Sequence, residues 1–132
     1  MRRVIRRLAS LALAAVTASG APAWAADTGL DPPLGIEVTG GADSHGEIVF
    51  SFSEDGVEIT EIPVAVPKGT PENAVARRIR KEMRRALPKK EYGVDLKGGE
   101  KVLISAQGHA KVYTVRLVRN TVKGTTISIA RE

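Results

Sequence analysis

One stretch of this chain carries a helical period, and two prolines bound it. From Pro71 to Leu87 the apolar residues Val75, Ala76, Ile79, Met83, Ala86 and Leu87 fall within one third of a helix circumference. Thr70 precedes the stretch as a candidate cap for the free N–H groups. Pro71 suits the first helical position, Glu72 suits the positive end of the helix dipole, and Pro88 stops the helix. Every other patterned segment alternates with period two, as half-buried strands do. Strands, one helix, then more strands with short connections specify an α+β fold: a mostly antiparallel sheet with a single amphipathic helix packed on one face.

The strand segments carry their own punctuation. Ile36 to Val38 opens a first short strand, and Gly40 to Ser44 is a turn cluster. Ile48, Phe50 and Phe52 share one face of the next strand. Asp55-Gly56 then separates it from Val57 to Val66, and Asp-Gly between two such runs marks a tight hairpin. The second run changes phase, from Val57 and Ile59 to Ile62, Val64 and Val66, which predicts one extra residue, a bulge, near Thr60-Glu61. Pro63 cannot donate to a ladder, so this strand is expected at a sheet edge. The helix is expected over Phe50, Phe52 and Ile62. After it, Tyr92 to Lys97 turns at Gly98-Gly99 into Val102 to Ala106. Gln107-Gly108 turns into Ala110 to Arg119, and Ile127 and Ile129 close the domain.

The N-terminal residues read differently. Arg2, Arg3, Arg6 and Arg7 precede an apolar run from Leu8 to Ala18, and Ala23-Trp24-Ala25 follows. Basic, apolar and small-residue regions in that order form a secretory signal peptide, expected over residues 1–25 with cleavage after Ala25. The apolar run is well short of the ~20 residues that span a membrane, so no transmembrane segment is expected in the mature form. Residues 26–35, rich in Asp, Gly and Pro, read as a flexible leader, and 36–132 as a single α+β domain. The chain has no cysteine, so its domain must hold together without disulfides. Its compartment is expected to be periplasmic or secreted.

Charge is unevenly placed. Of the 20 basic residues four belong to the signal, which leaves 16 against 15 acids. From Asp27 to Glu61 there are acids and no Lys or Arg; the bases begin at Lys68. Six of them, Arg77, Arg78, Arg80, Lys81, Arg84 and Arg85, fill the outer arc of the predicted helix, and Lys89 and Lys90 extend it. Arginine favours bidentate contact with phosphate or carboxylate. The face is therefore a candidate binding site for an anionic lipid, a cell-wall polymer or an acidic protein. No aromatic residue interleaves it to stack bases, so nucleic acid is not expected as a partner. Two other readings stay open: a solvated helix face, or one neutralised by the chain's own acidic half.

Other chemistry is sparse. Asp43, His45 and Glu47 alternate on an extended segment, yet match no metal-site spacing and read as a polar turn. His109 reads as a turn residue. Ser44, Ser51, Ser53 and Ser105 lie in no nucleophile elbow. No catalytic residue, metal site or cofactor is assigned.

The stretch Val66 to Ala76, with Tyr92-Gly93-Val94 and Val102 to Ala106, resembles a small strand–helix–hairpin module of phage tail and bacterial surface proteins. The resemblance implies a building-block or binding role. The expectation is thus an exported, non-enzymatic binding module. The alternatives are a structural or oligomerising subunit of an envelope or surface assembly, and a small hydrolase whose site comes from scattered residues.

Overall fold

The two periods separate cleanly in the computed structural model, which describes residues 32–107 and 111–132. The expected signal peptide, most of the expected leader, and Gly108 with His109 lie outside the described residues. Pro32 to Glu132 form one compact unit. Its strands are β1 (Leu34–Thr39), β2 (Gly46–Glu54), β3 (Val57–Val66), β4 (Tyr92–Lys97), β5 (Lys101–Ala106), β6 (Tyr113–Asn120) and β7 (Thr126–Arg131). Its helix, α1, is Glu72–Ala86. β1 begins at Leu34, so the last two residues of the expected leader belong to the domain, where Leu34 joins the core.

The fold is α+β, and all strand pairings are antiparallel. The strands divide, however, into two sheets, β4-β5-β1-β7 and β3-β2-β6. Their inner faces share one core. Leu34, Ile36, Val38, Val102 and Ile104 come from the first sheet, and Ile48, Phe50, Phe52, Ile62 and Val64 from the second. The helix inserts Val75, Ala76, Ile79 and Met83 into the same core, and Leu87, which caps its C-terminus, joins them. It touches β3 of one sheet and β4, β1 and β5 of the other. Phe52, expected under the helix, is met by Tyr92 and Tyr113, at ring-centroid distances of 5.1 and 6.4 Å. Ala86, placed on the core stripe by its angle, is exposed because the helix ends there.

The hairpin forms as its turn chemistry requires. Asp55 (φ 51°) and Gly56 (φ 81°) both take the left-handed conformation, which matches the twist of the flanking strands. The bulge falls at Ile59: Phe52 pairs Thr60 and Ser53 pairs Glu58. It lies one residue earlier than the phase change suggested. Val57, opposite Glu54, returns to the inner side, yet it is 63% exposed because the hairpin runs beyond the core. Pro63 lies on the edge strand β3, as its missing donor demands.

The helix start departs from the expected cap. Pro71, with φ −66° and ψ 160°, is the cap residue, and its carbonyl accepts from Ala74 and Val75. Thr70 donates its hydroxyl to Pro67 O at 2.6 Å instead, and its carbonyl accepts from Ala42 N–H at 2.8 Å. That second bond belongs to a stitched loop cluster. Gly69 N–H donates to Ala42 O, Gly40 N–H to the Glu72 carboxylate, Lys68 N–H to His45 Nδ1, and Asp43 N–H to Lys123 O. Tertiary bonds therefore hold residue 70 in the loop and move the cap one position on.

Candidate functional site

The helix places its basic residues on the side opposite the core, and the structure divides them by what they touch. Arg78 and Arg84 reach sideways. Arg78 Nη1 donates to Ala65 O of β3 at 3.3 Å. Arg84 Nε donates to Val94 O of β4 at 2.8 Å, and its Nη2 pairs with Asp95 at 3.3 Å.

The two carbonyls share a position. Glu47, the β2 partner of Ala65, gives its N–H and C=O to Thr121, so this pair turns its peptide groups away from the β2–β3 ladder. Ala65 O thus faces the open edge of β3. On β4, Glu91 O accepts from Gln107 N–H, so every second residue faces β5 and Val94 faces outward. One helix therefore satisfies an edge carbonyl in each sheet. Across the molecule, Arg131 of β7 donates to Tyr113 O of β6 and lies 4.5 Å from the centre of the Tyr113 ring. Open strand edges invite unwanted pairing, and these arginines occupy them.

Arg77, Lys81 and Arg85 remain as the outermost row, with Arg80 half-buried beside them and Lys89 and Lys90 beyond the helix end. Among the described residues Arg77, Arg80, Lys81, Lys89 and Lys90 form no ion pair or hydrogen bond through their side chains. Arg85 pairs with Glu82 at 3.2 Å on the surface, a contact worth at most about 1 kcal/mol. A groove flanks the row on each side. One, about 360 Å³, lies against β3 and is bordered by Arg77, Arg78, Lys81 and Glu82 over Val64 and Ala65. The other, about 600 Å³, lies against β4 and is bordered by Arg84, Arg85, Lys89 and Asp95 over Gly93, Val94 and Gln107.

The acidic half does not neutralise this face among the described residues. Glu47 pairs with Arg119 of β6, and Glu58 accepts from Ser51. Glu54 accepts from the Tyr92 hydroxyl at 2.6 Å. Burial, followed by the Glu54 carboxylate, pushes the Tyr92 phenol well above its ordinary range. The helix arginines that do pair find Asp95 and Glu82, both close by in the second half of the chain.

The residues of the other sequence readings are dispersed. His45 Nδ1 accepts from Lys68 N–H at 3.0 Å while Glu47 turns to Arg119. No group of three metal-ligating side chains forms among the described residues. Ser51 is buried against Glu58, and Ser44 Oγ accepts from Lys123 N–H. No described helix is long and apolar enough to cross a membrane. The edge contacts of Arg78, Arg84 and Arg131 had no visible signal in the sequence, since a charge pattern does not say which carbonyls lie open. No protein-family model, curated protein or solved structure matches the chain.

Proposed function

We propose that this chain is an exported, non-enzymatic binding module whose basic helix face contacts an anionic component of the envelope or an acidic protein. One observation carries the reading. Five cations along the helix and the turn after it form no ion pair or side-chain hydrogen bond among the described residues, although Glu47, Glu54, Glu58 and two edge carbonyls elsewhere are engaged. Like charges at four-residue spacing cost a helix a few tenths of a kcal/mol per pair, roughly. A face kept in that state is suited to a partner that supplies the opposite charge.

The test is co-sedimentation with anionic vesicles and with purified envelope polymer at low and high salt. The variant Arg77→Gln/Arg80→Gln/Lys81→Gln/Lys89→Gln is run beside the parent. It spares Arg84, whose loss would disturb the sheet edge. Binding that salt abolishes and the variant lacks supports the reading. Equal behaviour of the two proteins returns the face to a solvated surface.

A second reading, an assembling subunit, is favoured by the β2–β3 hairpin. It carries Glu47, Glu54, Asp55, Glu58 and Glu61 with no base, and at its end Val57 and Ile59 are 63% and 55% exposed. Charge-mediated contact between this hairpin and the helix of another copy would show as salt-sensitive oligomers in sedimentation velocity.

A further inference from the structure

Building on the anion-binding reading above, we propose that the partner is a linear polyanion, a polymer carrying phosphate or carboxylate groups along its backbone, and that it lies along the row Arg77, Lys81, Arg85.

The geometry of the row carries the argument. Residues four apart on a helix rise about 6 Å and turn only about 40° from one to the next. Three cations at that spacing make a nearly straight line about 12 Å long, far longer than a single phosphate or carboxylate. The line also joins the two grooves. Arg77 and Lys81 border the one against β3, and Arg85 borders the one against β4, where Lys89 continues the charge past the helix end. A chain laid on the row passes from one groove to the other along Arg77, Lys81, Arg85 and Lys89, beside the carboxylates of Glu82, paired with Arg85, and Asp95, paired with Arg84. A lone anion would use one of these positions and leave the rest unpaired.

The surroundings favour a polymer over a membrane. A helix that binds a bilayer lays an apolar face into the headgroup boundary. Here the apolar face of α1 is spent on the core through Val75, Ala76, Ile79 and Met83. The exposed large apolar side chains, Val57, Ile59, Val112, Leu117 and Val118, lie on the hairpin and around β6 instead. Nothing apolar on the helix face would anchor it in lipid, whereas charge complementarity alone is enough for a polymer whose groups bind in series.

The experiment is titration calorimetry with inorganic orthophosphate, tripolyphosphate and long-chain polyphosphate. A parallel series of galacturonate and polygalacturonate distinguishes a phosphate from a sugar-acid source, and phosphatidylglycerol vesicles form the membrane arm. Affinity per molecule is expected to rise at least about tenfold from monomer to polymer in one of the two series, as linked sites predict. It should fall steeply with salt. Arg77→Gln, Lys81→Gln and Arg85→Gln should each weaken polymer binding, and the triple variant should abolish it with the circular-dichroism spectrum unchanged. Arg77→Lys/Arg85→Lys should retain it. Lys123→Gln/Arg116→Gln, which remove charge elsewhere, should leave it intact.

Equal affinity for monomer and polymer, or equal loss in the control variant, would overturn the row while leaving an anion site in place. Binding to vesicles but to neither polymer would overturn the polymer in favour of a membrane. No binding to any probe would overturn this inference together with the envelope-component form of the function on which it rests.

Discussion

Arg84→Gln separates the two uses of the basic helix. Glutamine keeps the helix propensity of arginine nearly unchanged, so the variant reports the contacts of the guanidinium. Arg84 loses a 2.8 Å bond from Nε to Val94 O and a 3.3 Å pair with Asp95. A hydrogen bond from a charged donor contributes about 1.5 kcal/mol or somewhat more. The Asp95 pair, with side chains 51% and 75% exposed, adds well under about 1 kcal/mol. Relief of repulsion from Arg80 returns a few tenths of a kcal/mol, roughly. The net loss is about 1–2 kcal/mol, or about 5–10 °C in Tm for a domain of this size. Urea unfolding of Arg84→Gln beside Arg77→Gln measures it. Arg77 forms no side-chain hydrogen bond or ion pair among the described residues, so its variant should stay within about 0.5 kcal/mol of the parent. If Arg84→Gln is as stable as Arg77→Gln, the edge contact contributes nothing and the division of the face into structural and free arginines fails. Dynamic light scattering adds a second readout, since an uncovered β4 edge should raise association in Arg84→Gln alone.

Two further outcomes follow from the packing. Gly40 (φ 86°) has the Gly124 carbonyl where a Cβ would stand, whereas Gly56 (φ 81°) has open space. Gly40→Ala should therefore cost about 2 kcal/mol or more, and Gly56→Ala about 1 kcal/mol, the strain of the left-handed backbone alone; comparable losses in denaturant melts would refute the clash. The Tyr92 phenol is raised in the folded state, so the unfolded chain gives up its proton first as pH climbs past about 10. Stability should hold below that pH and fall above it, and Tyr92→Phe should flatten the fall at the expense of the bond to Glu54; an unchanged slope in the variant would assign the alkaline loss to other groups.

The elements and most of their inward faces are readable from the residues alone, although Val49 and Ser51 on the other side of β2 are also buried. Alternation and helical spacing are local, and Asp55-Gly56, Pro63 and the Pro71 to Pro88 bounds act within a few residues, so the hairpin, the edge strand and the helix α1 were legible. The bulge was legible as a need, and its place at Ile59 was one residue off because a phase change marks an interval. The features that needed the folded chain are long-range. Alternation says which face of a strand is buried and leaves open which strand lies beside it. The division into two sheets rests on β1 pairing β5 and β7 across most of the chain. Thr70 lost its cap to a bond between its carbonyl and Ala42 N–H, which no helix rule contains. The basic face was visible as charge. Its separation into Arg78 and Arg84 on open strand edges, and a free row at Arg77 and Lys81, followed from where the edge carbonyls of β3 and β4 came to lie against the helix.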